Sequence, residues 1–170
     1  MPSIVLGIDP ASYKNMGICV AEIDMDKIPK ILDRTTKIFN VDLENKDDRF
    51  VELIDFLDFL NKEFKINSVI FERTQFGLPF VMSQIYESVG VIKYWAKLNK
   101  CSIVEISPKT AKKAISGNGS ATKKQVIKSV MDIFGFTKKD LSSDHEADAI
   151  SLALAYSKTI DKEWITNSSY

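Results

Sequence analysis

Residues 3–10 read Ser3-Ile4-Val5-Leu6-Gly7-Ile8-Asp9-Pro10, an apolar run that stops on a carboxylate and a proline. A short apolar, partly β-branched run suits a buried strand, and a proline cannot continue its ladder. The pattern returns over residues 66–72, where Ile66-Asn67-Ser68-Val69-Ile70-Phe71 ends on Glu72. Parallel strands joined through a helix lie side by side, and ligands collect beyond their carboxyl ends. If these two strands are neighbours, Asp9 and Glu72 stand close together. Two carboxylates there repel and raise each other's pKa unless a cation joins them. Hard oxygen donors with room for water suit Mg2+ or Mn2+.

Working outward, residues 16–23 and 31–41 form two further strand-like runs around a polar turn at 24–29, which predicts an antiparallel opening. Phe50, Leu53, Ile54, Leu57, Leu60 and Phe64 recur at three- and four-residue spacing and predict a helix over 47–64. A second amphipathic helix is predicted over 79–97 and a fifth strand over 102–106. Ser107 before Pro108 marks the start of a short helix. Thr122 with Gln125 is a capping box for a helix through Phe134, stopped by Gly135. Ser143 with Glu146 repeats that pattern and opens a last helix through about residue 158, with Glu146 as its capping residue. The sum is one α/β domain over 1–160, a five-stranded mixed sheet with helices packed on it, followed by a tail over 161–170.

The last helix completes an acidic constellation. His145 and Asp148 are three apart and share a helical face; Asp144, four before Asp148, is a rival on that face. Ala147, Ala149, Ala153 and Ala155 keep the helix slim enough to lie close to a sheet. Taken singly, each of these acids suits an ordinary strand end or helix start, and a lone histidine is more often structural. Their joint fit to one geometry is what points to a site.

Formal net charge is zero, but its distribution is uneven. Residues 1–72 hold 9 Lys/Arg against 14 Asp/Glu, residues 73–139 hold 12 against 3, and residues 140–170 hold 2 against 6. A neutral protein with a local lysine cluster can still hold nucleic acid. Lys123 and Lys124 occupy the first turn of a predicted helix, where positive charge opposes the helix dipole at about 0.3–1 kcal/mol each. Behind a glycine turn, that placement makes a phosphate site, and Lys112 and Lys113 extend the track. Cys19 and Cys101 sit in β-like runs and read as buried free thiols, which points to a reducing, cytoplasmic compartment. No apolar stretch reaches membrane-spanning length, so no membrane is expected as partner.

Four blocks carry a family resemblance: Gly7-Ile8-Asp9-Pro10, Phe71-Glu72, the block from Gly117-Asn118-Gly119-Ser120 to Lys123-Lys124-Gln125-Val126, and His145-Glu146-Ala147-Asp148-Ala149-Ile150. In type, order and spacing they resemble RuvC-type Holliday-junction resolvases over almost the whole chain. The resemblance implies an RNase H-like fold with helices on both sheet faces, and a homodimer acting on four-way or branched DNA. It implies an endodeoxyribonuclease that leaves 5′-phosphate and 3′-hydroxyl ends. Two Mg2+ per site, with Mn2+ as substitute, would sit on Asp9, Glu72, His145 and Asp148. Lys112 and Lys123 fall on the family's lysines beside the glycine turn. The family's branch-point aromatic has no match at the usual spacing, where Gln75 stands; Phe76, one further on, is the candidate. Pro10-Ala11-Ser12-Tyr13 replaces the family's common Pro-Gly-Ser-Arg without removing a ligand.

On this resemblance, His145 serves as a ligand or as the base for the attacking water, and its neutral form is needed for either. Met82, Ile85, Val89 and Trp95 mark one face of the 79–97 helix, suited equally to a dimer seam or to covering the sheet. A nuclease for RNA–DNA hybrids would use the same carboxylates, and a non-catalytic junction binder would not need all four. Sugar-kinase and actin-like ATPases need a duplicated domain that this length does not provide.

Overall fold

The computed structural model describes residues 2–10, 15–24, 27–39, 47–73, 79–141 and 143–167, and omits the side chains of Phe80 and of residues 160–167. In chain order the elements are β1 (Ser3–Asp9), β2 (Asn15–Ile23), β3 (Lys30–Ile38), α1 (Asp48–Phe64), β4 (Ser68–Glu72), α2 (Pro79–Leu98), β5 (Ser102–Ile106), α3 (Pro108–Ser116), α4 (Lys123–Phe134) and α5 (Asp144–Asn167). The five strands run in the order β3-β2-β1-β4-β5. The first three pair antiparallel, whereas β4 pairs parallel to both β1 and β5. The two carboxylate-ended strands are therefore neighbours at the centre of the sheet.

Alternation along the strands divides the core in two. Leu6, Ile8, Met16, Ile18, Val20, Val69 and Phe71 pack with Leu53, Leu57 and Leu60 of α1 and with Val89, Ile92 and Trp95 of α2. Val5, Cys19, Ala21 and Ile70 face the other way, into a core with α3, α4 and α5. Helices thus cover both faces of the sheet. Cys19 and Cys101 are buried free thiols, as expected. No helix among the described residues is long and apolar enough to cross a membrane.

Local signals hold where capping chemistry is explicit. Ser107 accepts from the Thr110 N–H with Pro108 opening α3, and both halves of the Thr122–Gln125 box are formed. Gly117 and Gly135 end α3 and α4 in the left-handed conformation. Boundaries differ elsewhere. The fourth strand begins at Ser68, because Lys65 closes α1 at φ 58° and the Asn61 side chain accepts the Ile66 N–H. α5 continues to Asn167, past the expected stop near residue 158. β3 ends at Ile38, and residues 40–41 of the expected strand lie outside the described residues.

Of the two roles open to the Val89 and Trp95 face of α2, dimer seam or cover for the sheet, the structure shows the second. Val89 and Trp95 are buried in the core, and the Trp95 indole donates to Asp58 of α1 at 2.7 Å. This face covers the sheet. The outer surface of α2 instead carries Tyr86, Gly90 and Tyr94 at four-residue spacing, with the tyrosines 56% and 63% exposed.

Candidate active site

The site grows from the register of β1 against β4. Ile8 lies opposite Phe71, and both point into the α1–α2 core. The next residue on each strand turns to the other face. Asp9 and Glu72 therefore stand together on the α5 side, at the carboxyl end of the central strands. The first turns of α5 bring His145 and Asp148 over the same place. His145 Nδ1 lies 2.7 Å from Asp9 Oδ2.

Two glycines set how near α5 can come. A side-chain carbon on Gly17 would fall 1.9 Å from the His145 carbonyl oxygen, and one on Gly7 would fall 2.6 Å from that of Ala149. Gly17 is the register partner of Asp9, and Gly7 precedes Asp9 by two. The helix backbone thus rests directly on strand backbone beside the first carboxylate. Alanines on the helix supplied half of this close approach. The glycines supply the other half, and Gly17 was overlooked in sequence, although a glycine inside a strand-like run signals close backbone approach.

The charges respond to this crowding. Burial first, then Asp9 and Asp148, pushes Glu72 up to about 7, with Lys112 acting in the opposite sense. Burial and Asp9 push Asp148 up to about 6. A hydrogen bond to Asp9 raises the His145 pKa. Asp144 takes a different part. Lys123, at the start of α4, pairs with it at 2.5 Å and holds it below the usual carboxylate range. The rival ligand is thereby engaged by a neighbouring cation.

Three carboxylates from three elements form the oxygen donor set that a hard divalent cation favours, with an imidazole nitrogen beside them. Burial and neighbouring carboxylates keep protons on Glu72 and Asp148 toward neutral pH. That is the chemistry such a cation would satisfy. Among the described residues, no three His, Cys, Asp or Glu side chains close on a single point as they stand. The fit is therefore one of donor type and proximity, with Asp9 turned to His145.

The lysines divide. Lys112 is near enough to Glu72 to favour its ionised form, and Lys123 lies at the rim, acted on by Asp144, Asp148 and Asp9. Lys124 is exposed on the first turn of α4. Lys113 is exposed on α3. With Lys109 and Lys158 it lines a separate groove between α3 and α5. Gln75 and Phe76 lie outside the described residues.

Glu146 is more than a capping residue. Ser143 Oγ accepts the Glu146 N–H at 3.2 Å, so the serine half of the expected box is present. The Glu146 carboxylate, however, is 1% exposed and pairs with Arg34 of β3.

Comparison with known proteins gives a consistent answer. The family model described as crossover junction endodeoxyribonuclease RuvC matches residues 5–156. The protein of that name from Sulfurovum sp. (strain NBC37-1) is 29% identical over 153 residues, covering 89% of this chain and 93% of its own. The one from Prochlorococcus marinus (strain MIT 9312) is 31% identical over 150 residues, covering 88% and 93%. In fold, the chain is similar to T. thermophilus RuvC in complex with Holliday junction substrate, with a TM-score of 0.80 at 20% identity, over 95% of this chain and 96% of that one. The Fowlpox virus resolvase in complex with Holliday junction DNA aligns at a TM-score of 0.60 and 16% identity, over 92% and 98%.

Proposed function

This chain belongs to the RuvC family of crossover junction endodeoxyribonucleases, and from that premise we propose that it resolves four-way DNA junctions by paired, metal-dependent phosphodiester hydrolysis. The observation that carries the proposal is the meeting of Asp9, Glu72 and Asp148 from β1, β4 and α5, with His145 against Asp9. These four are the proposed ligands, and Mg2+, two per site with Mn2+ as substitute, is the proposed metal. Bound cations would supply Lewis acidity for the attacking water and positive charge for the departing 3′-oxygen, leaving a 5′-phosphate.

The chain's own groups prepare that chemistry. A carboxylate only accepts hydrogen bonds, so Asp9 fixes the His145 proton on Nδ1 and leaves the Nε2 lone pair available. Nε2 is then the atom that ligates or takes a proton from water. Glu72 and Asp148 must lose their protons before they can serve as ligands. Lys112, Lys123 and Lys124 form the proposed contact to DNA phosphates, with Phe76 as the branch-point candidate. A phosphate at Lys123 would replace Asp144 as its partner.

Junction symmetry calls for two active sites, and a homodimer is the proposed assembly. The proposed seam is the outer face of α2. Gly90 has no neighbour within 4 Å of where a side-chain carbon would sit. Glycine in mid-helix costs about 0.5–1 kcal/mol relative to alanine. Nothing within the described chain requires it there, and a partner helix crossing at Gly90 would. The working compartment is proposed to be the cytoplasm.

The direct test is cleavage of a labelled four-way junction beside linear duplex and RNA–DNA hybrid, with Mg2+, with EDTA, and with Asp9→Asn. Paired nicks on the junction that vanish with EDTA and with the variant are expected. Cleavage of the hybrid alone would reassign the substrate. An Asp9→Asn protein that cuts normally would dismiss the metal site.

A further inference from the structure

The first two turns of α5 carry His145 and Asp148, so whatever fixes the start of that helix also fixes half of the site. Arg34, on strand β3, reaches it. Its guanidinium donates to Glu146 Oε1 and to the Asp140 carbonyl, and lies 4.3 Å from the centre of the Phe136 ring. Glu146 is buried at 1% exposure, while the Arg34 side chain is 23% exposed. Two residues along β3, Thr36 Oγ1 meets Ser143 Oγ at 2.5 Å, just before the helix begins. One strand edge therefore holds the loop after α4 and the start of α5 together.

Stability alone does not account for this arrangement. A buried ion pair is often no better than a well-packed apolar pair of the same volume, because two charges must leave water. Capping does not need it either, since the Ser143 hydroxyl already receives the Glu146 N–H. What a charge-assisted bond from one guanidinium nitrogen, shared between the Glu146 carboxylate and the Asp140 carbonyl, adds is direction. It fixes the rotation and height of a helical turn, whereas apolar contacts let it slide. Glu146 sits directly after His145 and two before Asp148 on the turn so held.

We propose that Arg34, acting through buried Glu146, is a positioning residue that sets His145 and Asp148 against Asp9 and Glu72 for metal binding. The proposal rests on the ligand set argued above. Groups that orient ligands from behind typically change metal affinity by about 10–100-fold when removed.

Removing Arg34 alone would strand a buried carboxylate, so the informative variant is the double replacement Arg34→Met with Glu146→Leu. Mn2+ binding is measured by calorimetry for the wild type, the double variant and Asp9→Asn, beside metal-free melting and junction binding in EDTA. The expected double variant melts near the wild type, binds the junction normally without metal, and binds Mn2+ about 10–100-fold more weakly. A folded double variant with wild-type Mn2+ affinity overturns the positioning role and leaves the metal site standing. If the double variant does not fold, Arg34→Lys keeps the charge but loses the planar guanidinium that lies against Phe136. It is expected to weaken Mn2+ binding at unchanged melting temperature, and wild-type affinity would again overturn the role. A wild type that binds Mn2+ no better than Asp9→Asn overturns the metal site itself, and the positioning role with it.

Discussion

Glu72 and Asp148 store the tension of the site in their protons. Their carboxyl groups rise to about 7 and about 6 through burial and neighbouring negative charge. A group whose folded pKa is raised binds its proton more tightly when folded. Its contribution to stability is complete below the unfolded value and is lost as pH rises through the folded one. His145, raised by Asp9, acts in the same direction. The metal-free protein is therefore expected to lose melting temperature from about pH 4 to about pH 7, and bound Mg2+ should restore it at the upper end. Asp148→Asn should flatten the trend and add about 1 kcal/mol of stability at pH 8 while abolishing cleavage. Melting curves in EDTA at pH 5 and 8 check this, and a wild-type midpoint that does not move would rule out the repulsion.

Elements meet here through absent side chains as much as through present ones. α5 approaches β1 and β2 at Gly7 and Gly17, where an added carbon would collide with helix carbonyls. Gly17→Ala should cost about 1–3 kcal/mol by overpacking. By pushing His145 away from Asp9, it should also slow cleavage on the order of 100-fold. Equal kcat in a folded Gly17→Ala protein would show that the close seat is not required. The lysines of α3 and α4 make a second, separable expectation. Replacing Lys112 and Lys123 with methionine should lower the salt dependence of junction binding by about 0.9 per residue. Lys113→Met, whose side chain lines the groove between α3 and α5, should leave cleavage of bound junction unchanged. An unaltered salt slope in the Lys112/Lys123 double variant would remove both lysines from the DNA contact.

For the whole molecule, the proposed assembly turns on the outer face of α2. Gly90→Arg places a long cation where the monomer has empty space, so the fold should be unaffected. Sedimentation is expected to show a wild-type dimer and a Gly90→Arg monomer at micromolar concentration. A persistent dimer would move the interface elsewhere, and a monomeric wild type would end the dimer proposal. At this scale the division between sequence and structure is also plain. Sequence alone determined the order of elements and the two strands that end on acids, because periodicity, capping residues and a strand-ending proline act within a few residues of chain. That these strands are central neighbours came from the sheet order. Only the tertiary structure decided which face of α2 is inner, where Trp95 and Val89 pack under α1. The same holds for the pairing of Lys123 with Asp144, the groove that Lys113 lines with Lys158, and the burial of Glu146 under Arg34. Those outcomes depend on partners up to 112 residues apart in sequence, and local spacing carries no record of which partner the fold will bring.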